Sequence, residues 1–80
     1  MNEINNKIIY IISEQLGIDK KKINNNSLFL ENFNADSLDI LEIIMIIEEK
    51  FNIEISDEEA KKIISVQDIL NLINKKIILK

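Results

Sequence analysis

The chain contains neither cysteine nor histidine, so the thiolate nucleophile, the thiol metal ligand and the commonest general base are all missing. That inventory argues against unaided covalent catalysis, and no catalytic residue is assigned. The hydroxyl best placed for chemistry is Ser37, in the run Asp36-Ser37-Leu38-Asp39. An Asp followed three residues later by an acid is a helix-start pattern. It puts Ser37 in the first turn, where free N–H groups and the positive end of the helix dipole favour a phosphate. By itself a Ser at that place is usually just a cap or a surface residue, and only its context points further.

The helix that must position Ser37 runs to about Phe51. Projected at about 100° per residue, Ile40, Ile43, Ile44, Ile47 and Phe51 fall on one arc, the stripe that a helix buries in a bundle. Leu38, Leu41 and Met45 cluster on the far side and cannot share that core. Glu48 borders this second stripe on one flank, and Asp39, Glu42 and Glu49 border it on the other. An exposed apolar strip rimmed by carboxylates is what a protein-docking face looks like, with Met supplying adaptability and the acids steering a basic partner. The competing reading is that the long loop before the helix covers one of the three. Ile46 projects among the acids; it either extends the docking strip or only reflects the Ile-rich composition of the chain.

Charge is concentrated in the same place. Between Asp36 and Glu59 the chain holds nine acids and one Lys, a net −8 within a chain whose overall net charge is −4. Like charges one helical turn apart destabilise by a few tenths of a kcal/mol each, so the cluster opposes folding and points to a binding use.

Eighty residues make one small domain, 1–80, with room for a single core. A content of 46% hydrophobic and 30% charged residues, with one Gly and no Pro, fits a compact all-α fold. Ile4, Ile8, Ile11 and Ile12 recur at helical spacing and Gly17 ends that helix. From Ile18 to Phe33 periodicity is lost, yet Ile23, Leu28, Phe29 and Leu30 are too many hydrophobes for a free linker, so the expectation is a long loop pinned onto the core. A short third helix starts at the capping box Ser56-x-x-Glu59. A last one starts near Ser65, with Val66, Ile69, Leu70 and Ile73 on one face. The expected architecture is a small four-helix bundle of three longer helices and a short third one.

The longest apolar runs, Ile8–Ile12 and Ile43–Ile47, are far short of the roughly 20 residues a membrane span needs, so no membrane insertion is expected. A pI near 4.7 argues against nucleic acid and anionic membrane, both of which need a basic footprint. No Asp-x-Asp-x-Asp-Gly loop is present, and no metal site is assigned.

The run Asn34-Ala35-Asp36-Ser37-Leu38-Asp39, followed by Leu41-Glu42, Met45, Glu48-Glu49 and Phe51, resembles the acyl carrier proteins of type II fatty acid synthesis. Their signature is Asp-Ser-Leu at the start of the second helix. The likeness extends through Glu14-Gln15-Leu16-Gly17, Ile55-Ser56-Asp57-Glu58-Glu59-Ala60 and Ser65-Val66-Gln67-Asp68 to nearly the whole chain. It implies a non-enzymatic carrier on which Ser37 is esterified by 4′-phosphopantetheine, transferred from coenzyme A by a holo-acyl-carrier-protein synthase using Mg²⁺. Growing acyl chains then ride as thioesters on that arm.

By the same resemblance Asp36, Asp39, Glu42, Glu48 and Glu49 match acids that meet basic residues of partner enzymes, and Leu38, Leu41 and Met45 match apolar docking positions. The implied partners are the synthase, malonyl transacylase, ketoacyl synthases, ketoacyl reductase, dehydratase, enoyl reductase and acyltransferases. An acyl chain folding back between the second and third helices would meet Phe29, Ile44, Ile47, Ile55, Ala60, Ile63, Ile69 and Ile73, which are core residues first. A monomer in the cytoplasm is expected, or in the plastid stroma if a leader was removed. The alternatives are a carrier of aminoacyl, D-alanyl or polyketide cargo, and an unmodified acidic helical adaptor.

Two features depart from the family pattern. Asn32-Phe33-Asn34 stands where Asp-Leu-Gly is usual, which requires Asn34 to take any positive φ the turn needs and removes an acid at Asn32. The tail Ile77-Ile78-Leu79 is apolar for a chain end, and either lengthens the last helix or makes a weak self-contact.

Overall fold

The computed structural model describes residues 2–78. Among them are five α-helices: α1 (Asn2–Leu16), α2 (Phe29–Phe33), α3 (Ser37–Phe51), α4 (Asp57–Lys61) and α5 (Val66–Ile78). The four expected helices are α1, α3, α4 and α5, in that order. Only α2, a single turn, is additional.

Three of the helices end for a local reason. Gly17 takes φ +67° after α1, and Asn34 and Asn52 take φ 53° and 55° after α2 and α3. These are left-handed caps, which Gly and Asn adopt with the least steric penalty. Asn34 therefore fills the positive-φ role that its position demands.

The core is formed by Ile8, Ile11 and Ile12 of α1, Ile43, Ile44 and Ile47 of α3, and Val66, Ile69, Leu70 and Ile73 of α5, with Phe29 inserted from α2. Fully burying one such aliphatic side chain contributes ~1.5–3 kcal/mol. Helix α1 packs against α3 and α5, and α3 packs against α4. Ile40 and Phe51, at the edges of the predicted α3 stripe, are half-buried against the same core.

The long connection is pinned to the bundle, as its hydrophobes require, but by backbone as well as by side chains. The Phe29 N–H donates to the Ile64 carbonyl (3.0 Å), Val66 N–H to Ser27 (3.0 Å) and Gln67 N–H to Asn25 (2.9 Å). Within it, Asp19 caps a 3₁₀ turn over Lys20–Lys22, and the Asn32 side chain accepts from the Leu28 N–H at 2.7 Å, holding the start of α2. At the other end α5 runs through Ile78, with Ile77 half-buried against the core; Leu79 lies outside the described residues.

Candidate functional site around Ser37

The start of α3 is closed by a reciprocal capping box. The Asp39 N–H donates to Asp36 Oδ1 and the Asp36 N–H donates to Asp39 Oδ2, each at 3.1 Å. Asp36 is thus the cap, and Ser37 is the first residue inside the helix. Its side chain is exposed, and its hydroxyl makes no hydrogen bond among the described residues. The Ile40 N–H bonds to the Asp36 carbonyl, so of the four N–H groups a helix start leaves open, those of Ser37 and Leu38 remain without partners among the described residues. An exposed hydroxyl beside two free amides at the positive end of a fifteen-residue helix is arranged to accept a phosphate ester.

Beneath Ser37 lies a cleft of about 450 Å³ between α3 and α4, lined by Ser37, Ile40, Leu41, Asp57, Ala60, Lys61 and Ile63. Of the eight residues expected around an acyl chain, Ala60 and Ile63 line this cleft. Phe29, Ile44, Ile47, Ile69 and Ile73 are buried in the core, and Ile55 is half-buried against it. The other lining residues besides Ser37, namely Ile40, Leu41, Asp57 and Lys61, were not among those eight. Ile40 and Leu41 lie three and four residues after Ser37 and so share its face. Asp57 and Lys61 have the same spacing on α4, a signal that was available.

On the outer side of α3, Leu38 (67% exposed), Leu41 (42%) and Met45 (66%) all face solvent. None of the three is covered by the preceding loop. The acids around them are partly engaged within the molecule. Glu42 accepts from the Gln15 side-chain amide of α1 at 2.7 Å, and Glu48 accepts from the Ile55 N–H at 2.9 Å. The Glu49 side chain is exposed and makes no hydrogen bond or ion pair among the described residues. Ile46, unplaced by the wheel, is half-buried and lines a groove between α1 and α3 with Tyr10, Ile11 and Phe51.

A family model described as the phosphopantetheine attachment site matches residues 6–73. The chain is 56% identical over 75 residues to an acyl carrier protein of Buchnera aphidicola subsp. Baizongia pistaciae, covering 94% of this chain and 96% of that one. It belongs to the acyl carrier protein family. A second member, from Buchnera aphidicola subsp. Schizaphis graminum, is 54% identical over 76 residues, covering 95% of this chain and 96% of the relative. A third, from Thermosynechococcus vestitus, is 47% identical over 76 residues, covering 95% and 94%.

As an acyl carrier protein the chain is a carrier and not an enzyme, and its prosthetic group is 4′-phosphopantetheine. A helix start with an exposed hydroxyl, two free amides and an adjoining cleft fits that group. No helix among the described residues is long and apolar enough to cross a membrane.

Proposed function

We propose that residues 1–80 act as one carrier domain of fatty acid synthesis, with Ser37 as the attachment point of the arm. The observation that carries this reading is the division of labour at the start of α3: Asp36 supplies the cap, which leaves the Ser37 hydroxyl without a structural duty. In the loading step Ser37 Oγ bonds to the arm's phosphate as the pyrophosphate link of coenzyme A breaks; adenosine 3′,5′-bisphosphate leaves with the electron pair of that bond, and the serine proton passes to a base on the synthase. When bound, the arm supplies the thiol that this chain lacks and holds acyl groups as thioesters.

The chain's own residues then do three things. The free Ser37 and Leu38 amides and the α3 dipole stabilise the phosphodiester's negative charge. The cleft bordered by Ile40, Leu41, Ala60 and Ile63 offers apolar walls to an acyl chain folding back from Ser37. Leu38, Leu41 and Met45 form the strip on which partner enzymes sit, while Asp36, Asp39, Glu42, Glu48 and Glu49 present the negative rim. The partners are the synthase, malonyl transacylase, ketoacyl synthases, ketoacyl reductase, dehydratase, enoyl reductase and acyltransferases, met by a monomer in the cytoplasm or plastid stroma.

The test is intact mass after incubation with coenzyme A and a holo-acyl-carrier-protein synthase. One phosphopantetheine should add to the protein and none to Ser37→Ala. An unchanged wild-type mass would leave only an acidic adaptor. Acceptance of a malonyl group from malonyl-CoA through the transacylase supports fatty acid cargo; exclusive loading by an adenylating amino-acid ligase would overturn it.

A further inference from the structure

Attaching a phosphodiester at Ser37 adds a negative charge to the most acidic part of the molecule. From Asp36 to Glu59 the only cation is Lys50, thirteen residues along α3 from Ser37 and so roughly 20 Å away along the axis. At that separation the interaction is largely screened at physiological salt. The nearest acids add to that charge. Asp36 and Asp39 are held in the capping box, and Asp57 lines the same cleft as Ser37.

One cation does border that cleft: Lys61, in the last turn of α4. It is exposed, and although Asp57 is four residues earlier on the same helix face, no ion pair joins them. The only ion pair among the described residues is Lys76 with Glu59. Its neighbour Lys62 does not line the cleft.

We infer that Lys61 is the positioning residue for the arm: its ammonium, without an ion pair among the described residues, faces the phosphodiester on Ser37 across the α3–α4 cleft and holds the base of the arm over the cleft mouth. A flexible ammonium acts here as a point charge rather than a geometric clamp, so it steadies the arm without preventing it from swinging out to a partner. This rests on Ser37 being the attachment point.

The experiment begins with intact mass of the loaded protein, so failure of attachment is seen separately and before anything else is read. On the loaded wild type, Lys61→Gln, Lys61→Arg and Lys62→Gln, the ³¹P resonance of the phosphodiester is followed against salt, together with the apo-to-holo amide shifts of residues 57–63. The expected result is a salt-dependent ³¹P shift in the wild type and in Lys62→Gln. That shift should be lost in Lys61→Gln and restored in Lys61→Arg, with the amide shifts of 57–63 reduced at least twofold only in Lys61→Gln. Identical ³¹P behaviour in wild type and Lys61→Gln would overturn the inference. So would an equal loss in Lys62→Gln, which would mean a diffuse field with no positioning contact. Thermal melts of the apo variants check that this exposed substitution leaves the fold intact.

Discussion

Two helices of this protein begin with nearly the same letters and put them to opposite uses. At α3 the order is Asp-Ser, and the Asp takes the cap; at α4 the order is Ser-Asp, and the Ser takes it. Ser56 Oγ accepts from the Glu59 N–H at 3.1 Å and Glu59 returns the bond to the Ser56 N–H at 2.9 Å. Ser65 is bound in the same way before α5, its hydroxyl accepting from the Asp68 N–H and its own N–H donating to Asp68. Ser56 and Ser65 are thus held by the backbone at the starts of α4 and α5, whereas Ser37, displaced one position into its helix, is not. A hydroxyl becomes available for transfer chemistry when a neighbour relieves it of its structural role.

The acids divide the same way. Glu59 is tied to Lys76 of α5 at 2.8 Å, and that bond, with the Ser56 N–H, holds its carboxyl at about 2 against an ordinary 4.5. In Asp68 burial works against ionisation, but the Ile64 and Ser65 amides and the Ser65 hydroxyl overcome it and lower the value. Glu59 thus ties α4 to α5 and Asp68 holds the start of α5, as Glu42 ties α3 to α1. Along α3, Glu49 is left facing solvent.

The sharpest break in this comparison is expected between Ser37→Ala and Ser56→Ala. The first should abolish phosphopantetheine addition while changing stability by less than about 0.5 kcal/mol, as for other exposed sites without a structural role. The second should keep full addition yet lose about 1 kcal/mol of cap energy, lowering Tm by roughly 4–8 °C in a domain of this size. Mass spectrometry and thermal melts on the same two variants check both; a Ser37→Ala protein as destabilised as Ser56→Ala would erase the distinction.

A smaller effect separates the acids by pH. Because Glu59 is depressed in the folded state, its contribution is fully present above pH 4.5 and is lost as pH falls toward 2. Melts of Glu59→Gln should therefore show a shallower decline than the wild type across that window. Smallest of all is the expected change in fold for Glu49→Lys, which removes a carboxylate with no partner among the described residues. Its melting temperature should stay within a degree or two, while association with a basic partner enzyme slows several-fold at low salt. An unchanged on-rate would remove Glu49 from the docking face.

What was legible in the sequence was what neighbours along the chain decide. The Asp36 and Ser56 caps, the Gly17 stop and the buried face of α3 follow from contacts within about four residues, and all are present as read. Helix α2 was not legible, because a single turn shows no apolar repeat and its anchor is remote: local Asn32 and Asn34 set its ends, but Phe29 is buried among other elements and its N–H is paired with Ile64. Nor was the split among the eight expected acyl-lining residues, where Ala60 and Ile63 border the cleft and the other six pack against or within the core.

By itself the sequence determined the helices, their caps and their apolar faces, because these depend on neighbours along the chain, and its resemblance to the acyl carrier proteins implied a carrier with an imported thiol arm. Only the tertiary structure decided that the Ser37 hydroxyl is unengaged, that Lys61 shares its cleft, and that Glu42 and Glu48 also bind within the fold. Those facts depend on how helices distant in sequence come to face one another, and helical periodicity specifies which side of a helix is apolar without specifying its neighbour.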